Sequence, residues 1–234
     1  MYFSKLSNII NDINKVLLPK LCFGCNAQLY RGEQLLCTLC RNQIPLTEYD
    51  FIEENAVDKI FYGRIDIKKA SAFLFFADQG IVKNLIHFLK YKNQPQIGQF
   101  LGDWYGQILK ESNALDDINI VIPVPLHKKK LKKRGYNQVS GFAQRIAYHL
   151  NVRYMDHLLV KTANTRTQTK KNRFYRWRDM PDLYQITNPE FLSNKNVLLI
   201  DDVITTGATI EACARALKKA QNATVSVATI AVVP

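Results

Sequence analysis

The chain has 234 residues, 47% hydrophobic and 22% charged, with a formal net charge of +12; that suits one ordinary domain plus a small one and excludes a disordered chain. No run of about 18 apolar residues occurs, which excludes a transmembrane helix, and polar residues from Ser4 to Lys15 interrupt the start of the chain as no signal peptide would allow. A cytoplasmic protein without a membrane partner is the expectation.

The charge is unevenly spread. Between Lys128 and Arg178 there are 15 Lys and Arg against one acid, Asp156, and the remainder of the chain is slightly acidic. One basic tract of this kind attracts a polyanion such as pyrophosphate, a nucleotide or a nucleic-acid backbone, or else forms a solvated face.

In chain order, Phe3, Leu6, Ile9, Ile10, Ile13, Val16 and Leu17 recur at helical spacing, which predicts an amphipathic helix over 3–18 that Pro19 ends. Cys22-x2-Cys25 and Cys37-x2-Cys40 follow, eleven residues apart. Two thiolates on each of two tight turns complete a tetrahedron, the pattern of a closed structural zinc site, with a redox pair or free buried thiols as the other readings. Residues 1–45 thus form a helix and cysteine module. Residues 46–64, carrying Glu48, Asp50, Glu53, Glu54 and Asp58, read as a linker, and 65–234 as an α/β domain. Within that domain strands are predicted over 70–76, 119–124, 195–200 and 224–233, and helices over 80–92, 98–109, 137–150 and 209–220. Strands alternating with helices imply a mostly parallel sheet covered on both faces.

The segment from Val197 to Thr209, Val-Leu-Leu-Ile-Asp-Asp-Val-Ile-Thr-Thr-Gly-Ala-Thr, joins a buried strand, two acids, a Thr/Gly loop and a helix start. A loop there sits where open α/β sheets bind ligands and where unpaired helix N–H groups favour an anion. Gly207 lets the backbone close on a phosphate, and Thr205, Thr206 and Thr209 add hydroxyl donors. Asp201 and Asp202 would repel that phosphate, so they suit something that donates to them, such as the two hydroxyls of a ribose. A phosphate end and a diol end together describe a ribose 5-phosphate. The loop lacks the Gly-Lys-Ser/Thr ending of a Walker P-loop. Cys213, between Ala212 and Ala214 on the following helix, reads as a small core residue.

Earlier in the chain, Ile122-Pro-Val-Pro-Leu-His127 ends a strand in a rigid turn. A basic stretch, Lys128 to Arg134, and then Arg134-Gly-Tyr-Asn-Gln138 follow it. Cations and N–H groups there would stabilise a departing pyrophosphate, with His127, Lys128, Arg134 and Arg166 as candidates. Thr165–Arg178 interleaves Arg and Lys with Phe174, Tyr175 and Trp177. It fits a lid over a site, a surface for single-stranded nucleic acid, or an exposed basic loop.

The acid-pair segment resembles the 5-phosphoribosyl 1-pyrophosphate (PRPP) motif of type I phosphoribosyltransferases. That resemblance implies their α/β fold. It gives Asp201 and Asp202 the ribose hydroxyls and the catalytic positions, gives Thr205, Thr206, Gly207, Ala208 and Thr209 the 5-phosphate, and counts Val203 among the PRPP-binding residues, with Mg²⁺ accompanying PRPP. The two Cys pairs, Leu89-Lys-Tyr91, Pro-Val-Pro-Leu-His, Arg-Gly-Tyr-Asn-Gln and Thr165-Arg-Thr-Gln-Thr169 together resemble the ComF family of competence-associated proteins. This wider resemblance implies a role in natural transformation, handling single-stranded DNA with other competence proteins. The alternative is an active phosphoribosyltransferase of nucleotide or base salvage.

Overall fold

The computed structural model describes residues 19–162 and 183–234. The helix predicted over 3–18, Arg166 and the Thr165–Arg178 segment lie outside them. In chain order the elements begin with two short helices, α1 (Thr38–Gln43) and α2 (Ala56–Lys59). Then come β1 (Ala70–Phe75), α3 (Ile81–Tyr91), α4 (Gln96–Ser112), β2 (Ile120–Pro123), α5 (Lys128–Arg134), α6 (Ser140–Leu150) and β3 (Arg153–Tyr154). After these follow β4 (Leu159–Lys161), β5 (Tyr184–Ile186), α7 (Pro189–Leu192), β6 (Asn196–Ile204), α8 (Ala208–Leu217) and β7 (Thr224–Val232). Five strands form one parallel sheet in the order β1-β7-β6-β2-β3, while β4 and β5 pair antiparallel in a separate hairpin.

The central strand shows why both faces are covered. Successive side chains of a strand point to opposite faces. Leu198 and Ile200 join the core under α3, α4 and α6, whereas Val197 and Leu199 join the core under α8. All four are fully buried. Each contributes about 1.5–3 kcal/mol relative to exposure, so the near-continuous apolar run is what a doubly covered strand requires.

Residues 46–64 look like a linker by composition, yet they are built into the fold. Leu46 bridges to Leu74 of β1. The Asn55 side chain caps α2, and its Nδ2 donates to the Ala70 carbonyl at 2.9 Å. Asp58 accepts from the Ala70 N–H at 2.7 Å and from the Asn55 N–H at 3.0 Å. Phe51, Val57 and Phe61 are buried. Acids that suggest solvent are here the caps and docking points of a short helix.

The basic stretch 128–134, which is not among the helices predicted from the sequence, is a helix. His127 caps its start by accepting the Lys129 N–H on Nδ1 at 3.2 Å, and Gly135 ends it at φ +79°. Lys and Arg are good helix formers, but with Leu131 as the one apolar residue in the stretch there was no periodicity to read.

The tightest packing is between α4 and α6. Gly98, Gly102 and Gly106 recur every fourth residue, and a Cβ on Gly102 would lie 2.6 Å from the Phe142 carbonyl oxygen and 2.9 Å from its Cα. The obstacle is backbone, which cannot turn aside. Gly102→Ala is therefore expected to destabilise the fold by about 1–3 kcal/mol despite its better helix propensity. Urea denaturation checks this, and an unchanged midpoint would show that the two helices can separate freely.

Candidate functional site

Strands β2 and β6 are neighbours, paired Pro123 to Ile200, and the Val124 N–H donates to the Ile200 carbonyl at 2.8 Å. From β2 the chain moves outward to β3 on one side; from β6 it moves to β7 on the other. The carboxyl ends of β2 and β6 therefore flank a topological switch point, the crevice where open α/β sheets bind ligands. The Pro-Val-Pro turn leaves one strand there, and the acid pair sits on the other.

Asp201 and Asp202 lie inside β6, which runs on to Ile204, not in the loop after it. Their partners come from opposite sides of the sheet. Asp202 forms an ion pair with Lys90 of α3 at 2.9 Å, both side chains 20% exposed. Asp201 faces Lys161 of β4, Tyr184 of β5 and Cys213 of α8, and its Oδ1 accepts the Asp202 N–H at 2.8 Å. Lys161 donates to the Tyr184 hydroxyl at 2.8 Å. Burial, and then the charge of Asp202, push the Asp201 carboxyl up to about 7, although the Asp202 N–H, Lys90 and Lys161 pull the other way. Burial also lowers the Lys161 ammonium, with Lys130 adding repulsion. The Cys213 thiol is driven well above its ordinary range by burial and by Asp201, which keeps it protonated in the core.

The Thr/Gly loop turns directly into α8. Gly207 stands at the N-cap with φ +73°, and no side chain caps the helix, so its first N–H groups are open to a ligand. A side chain at Gly207 would meet Ile60 at 2.8 Å and Phe61 at 2.9 Å. Thr205, Thr206, Ala208 and Thr209 are exposed around it, while Val203 is partly buried against the core.

Arg134-Gly-Tyr-Asn-Gln138 works as a staple. The Asn137 side chain donates to the Val124 carbonyl at 3.0 Å, pinning the Pro-Val-Pro turn. The Tyr136 hydroxyl donates to the Leu89 carbonyl, and Arg134 donates to Gln138 at 2.6 Å. An open cleft results, lined by Lys90, Tyr91, Lys129, Lys130, Lys133 and Arg134, and it meets the acid pair through Lys90. Tyr91 is 66% exposed, with the Arg134 guanidinium 5.5 Å from its ring centre. Lys128 is exposed at the start of α5.

The four N-terminal cysteines converge, their sulfur atoms all within 4.8 Å of one another. Cys25 Sγ and Cys37 Sγ are 3.7 Å apart, close to the roughly 3.8 Å edge of a tetrahedron with 2.3 Å metal–sulfur bonds. The Cys22 sulfur accepts N–H groups from Cys37 at 3.2 Å and Gly24 at 3.3 Å. Burial alone would raise its thiol, but these donors outweigh it and bring it down to about 7. Donors converging on sulfur favour the thiolate that a metal requires, and the cluster is compatible with structural zinc.

The structure brings together Asp201, Asp202, the Thr/Gly loop, His127 and Arg134, all at one end of the sheet. Sequence reasoning gave no role to Lys161, Tyr184 or Arg64, which reach this end from distant segments, and it named Lys90 as a family element without a function.

Residues 140–234 match the family model described as a phosphoribosyl transferase domain. Competence protein F of Haemophilus influenzae is 26% identical over 58% of this chain and 61% of its own length. The DNA utilization protein YhgH of Escherichia coli is 27% identical over 61% of this chain and 63% of its own. The matched region thus spans about three fifths of the length of these relatives. Competence protein ComFC of Bacillus subtilis is 25% identical over 88% of this chain and 82% of its own length. A solved structure of glutamine PRPP amidotransferase from B. subtilis matches with a TM-score of 0.45 and 17% identity over 62% of this chain and 30% of that one, too loosely to argue from. The domain match over residues 140–234, the parallel sheet with its strand-end acid pair and the relatives named for competence together support a ComF-family phosphoribosyltransferase-like protein.

Proposed function

We propose that this protein binds PRPP with Mg²⁺ at the carboxyl ends of β2 and β6 and works on single-stranded DNA or its nucleotides during natural transformation. The observation that carries the reading is the acid pair of β6 followed at once by the uncapped, glycine-led start of α8. Ribose hydroxyls donate to Asp201 and Asp202, and the N–H groups of Gly207 to Thr209 donate to the 5-phosphate. Lys90, Lys130 and Arg134 neutralise the pyrophosphate, and Mg²⁺ supplies further positive charge on it. In a transfer, the lone pair of an acceptor nucleophile forms a bond to the ribose C1 while the C1–O bond breaks, its electron pair leaving with pyrophosphate. Those cations lower the barrier by meeting the developing charge. The four cysteines hold structural zinc.

Calorimetry with PRPP and Mg²⁺ tests this directly. Binding requires ionised acids, so affinity is expected to fall as pH drops below about 7, where Asp201 takes up a proton. The same group sets a stability trend. Its folded pKa lies above the ordinary value of 3.8, so the folded chain holds a proton that the unfolded chain has already lost between about pH 4 and 7. Stability is lost as pH rises through that window. Asp201→Asn should abolish PRPP binding yet melt higher than wild type at pH 8, with the difference vanishing near pH 4. A variant that retains PRPP affinity removes Asp201 from the site; one that melts lower at pH 8 removes the burial argument.

The cysteine assignment gives a separate expectation. Cys22→Ser should lose stoichiometric zinc by elemental analysis and loosen the module, because metal binding there is folding free energy. Full zinc retention would exclude the four-cysteine site.

The DNA part of the reading rests on the exposed Tyr91 beside Lys129, Lys130, Lys133 and Arg134. An aromatic platform within a basic cleft suits an unstacked base with its phosphates. Oligothymidylate binding should weaken linearly in log–log against salt. Replacing Lys129, Lys130 and Lys133 with Gln should reduce the slope by about 2, at roughly 0.7 for each phosphate no longer neutralised. Salt-insensitive binding would move the DNA elsewhere, and salvage of a free base would become the better reading.

A further inference from the structure

The phosphate loop is held from behind by a residue of the 46–64 segment. Arg64 Nη1 donates to the Thr206 carbonyl at 2.6 Å and to the Ile60 carbonyl at 3.1 Å. The same guanidinium grips Glu211 of α8, with Nη2 at 2.6 Å and Nε at 3.0 Å. Arg215 closes the ring by donating to Glu211 at 2.6 Å and to the Arg64 carbonyl at 3.3 Å. Ile60 and Phe61, from the same segment, fill the space a side chain on Gly207 would need.

Two physical consequences follow from this ring. A backbone cradle binds an anion only if its N–H groups converge and its carbonyls turn elsewhere. The Thr206 carbonyl, immediately before the cradle, is committed to Arg64. Glu211, in the first turn of α8, suits the helix dipole but would repel a phosphate bound at the same helix end. Two guanidinium groups neutralise it; Arg215 and Arg64 hold its carboxyl below the usual range.

We propose that Arg64 is a positioning residue for the 5-phosphate: by taking the Thr206 carbonyl and the Glu211 charge, it leaves the Gly207–Thr209 N–H groups to the ligand. This rests on the phosphate reading of the loop. It concerns one end of the ligand, so the two ends can be probed separately in the full chain, with ribose 5-phosphate for the loop and magnesium pyrophosphate for the basic cleft. Arg64→Gln should weaken ribose 5-phosphate binding roughly tenfold or more, the scale of one lost charge-assisted hydrogen bond, and leave pyrophosphate binding unchanged. Arg64→Lys, which keeps a cationic donor, should recover part of the loss.

A folded Arg64→Gln chain that binds ribose 5-phosphate within twofold of wild type overturns the proposal and leaves the phosphate reading standing. Equal losses for both ligands overturn it as well, since they would indicate general damage. Should Arg64→Gln fail to fold, Arg64→Lys alone carries the test, since a single ammonium cannot hold both the Thr206 carbonyl and the Glu211 carboxylate as the guanidinium does. About threefold weaker ribose 5-phosphate binding would support the role, and unchanged binding would overturn it. A wild type that binds pyrophosphate but no ribose 5-phosphate overturns the loop assignment itself, and the role of Arg64 with it.

Discussion

Two carboxylates at the end of a strand buried on both faces are the constraint around which this molecule is arranged. Removing a charge from water costs several kcal/mol unless partners compensate. Strand alternation sends Asp201 and Asp202 to different sides of the strand, so the lysine that pairs with Asp202 reaches Asp201 only through its charge. The fold therefore brings a lysine from each side, Lys90 on α3 and Lys161 on the β4–β5 hairpin. Compensation is incomplete at Asp201, whose carboxyl remains high. A carboxylate short of donors in the free protein gains from a ligand that donates to it, as the ribose hydroxyls of the proposed ligand would.

The opposite requirement governs the loop one turn later, where N–H groups must stay unspent. Local structure supplies this by omission: Gly207 at the N-cap of α8 has no side chain to satisfy them. Keeping such a loop in one conformation then falls to its back, and the segment around α2 provides it with Ile60, Phe61 and Arg64. That segment is itself anchored to β1 by Asn55 and Asp58. A stretch with the composition of a linker thus connects the sheet edge to the loop.

Much of this was legible in the sequence, for physical reasons. The acid-pair segment is local: strand, acids, glycine and helix start are contiguous, and each has a backbone reason to be where it is. The eight principal elements of the α/β domain carried clear periodicity. What escaped was non-local or unpatterned. Lys90 and Asp202 are separated by more than a hundred residues, and no spacing rule links them. Arg64 was hidden by the acids around it. Helix α5 has caps but no apolar stripe. The box from Asn55 to Asp58 did carry a readable signature, a capping residue followed three later by an acid, and it was outweighed by the acidity of its neighbours.

Helix α3 ties the two ends of the molecule into one mechanical unit. The Asn84 side chain, in its first turn, donates to the Gly24 carbonyl between the first cysteine pair at 2.7 Å, and one turn further on Phe88 meets Phe23 edge to face at 4.9 Å. At its end, Lys90 holds Asp202, and the Leu89 carbonyl receives the Tyr136 hydroxyl that secures the basic cleft. With 11 residues the helix spans about 16 Å, so one rigid rod carries both the contacts to the cysteine module and the lysine that pairs with Asp202. Cys22, Cys37 and Cys40 also share a continuous core with Leu85 and Leu89 of that helix. A metal that orders the cysteine turns therefore fixes the register of α3, and with it the reach of Lys90. On this geometry the N-terminal module is part of the support of the strand-end acids, and a metal that ordered its cysteine turns would act on them through α3 and Lys90.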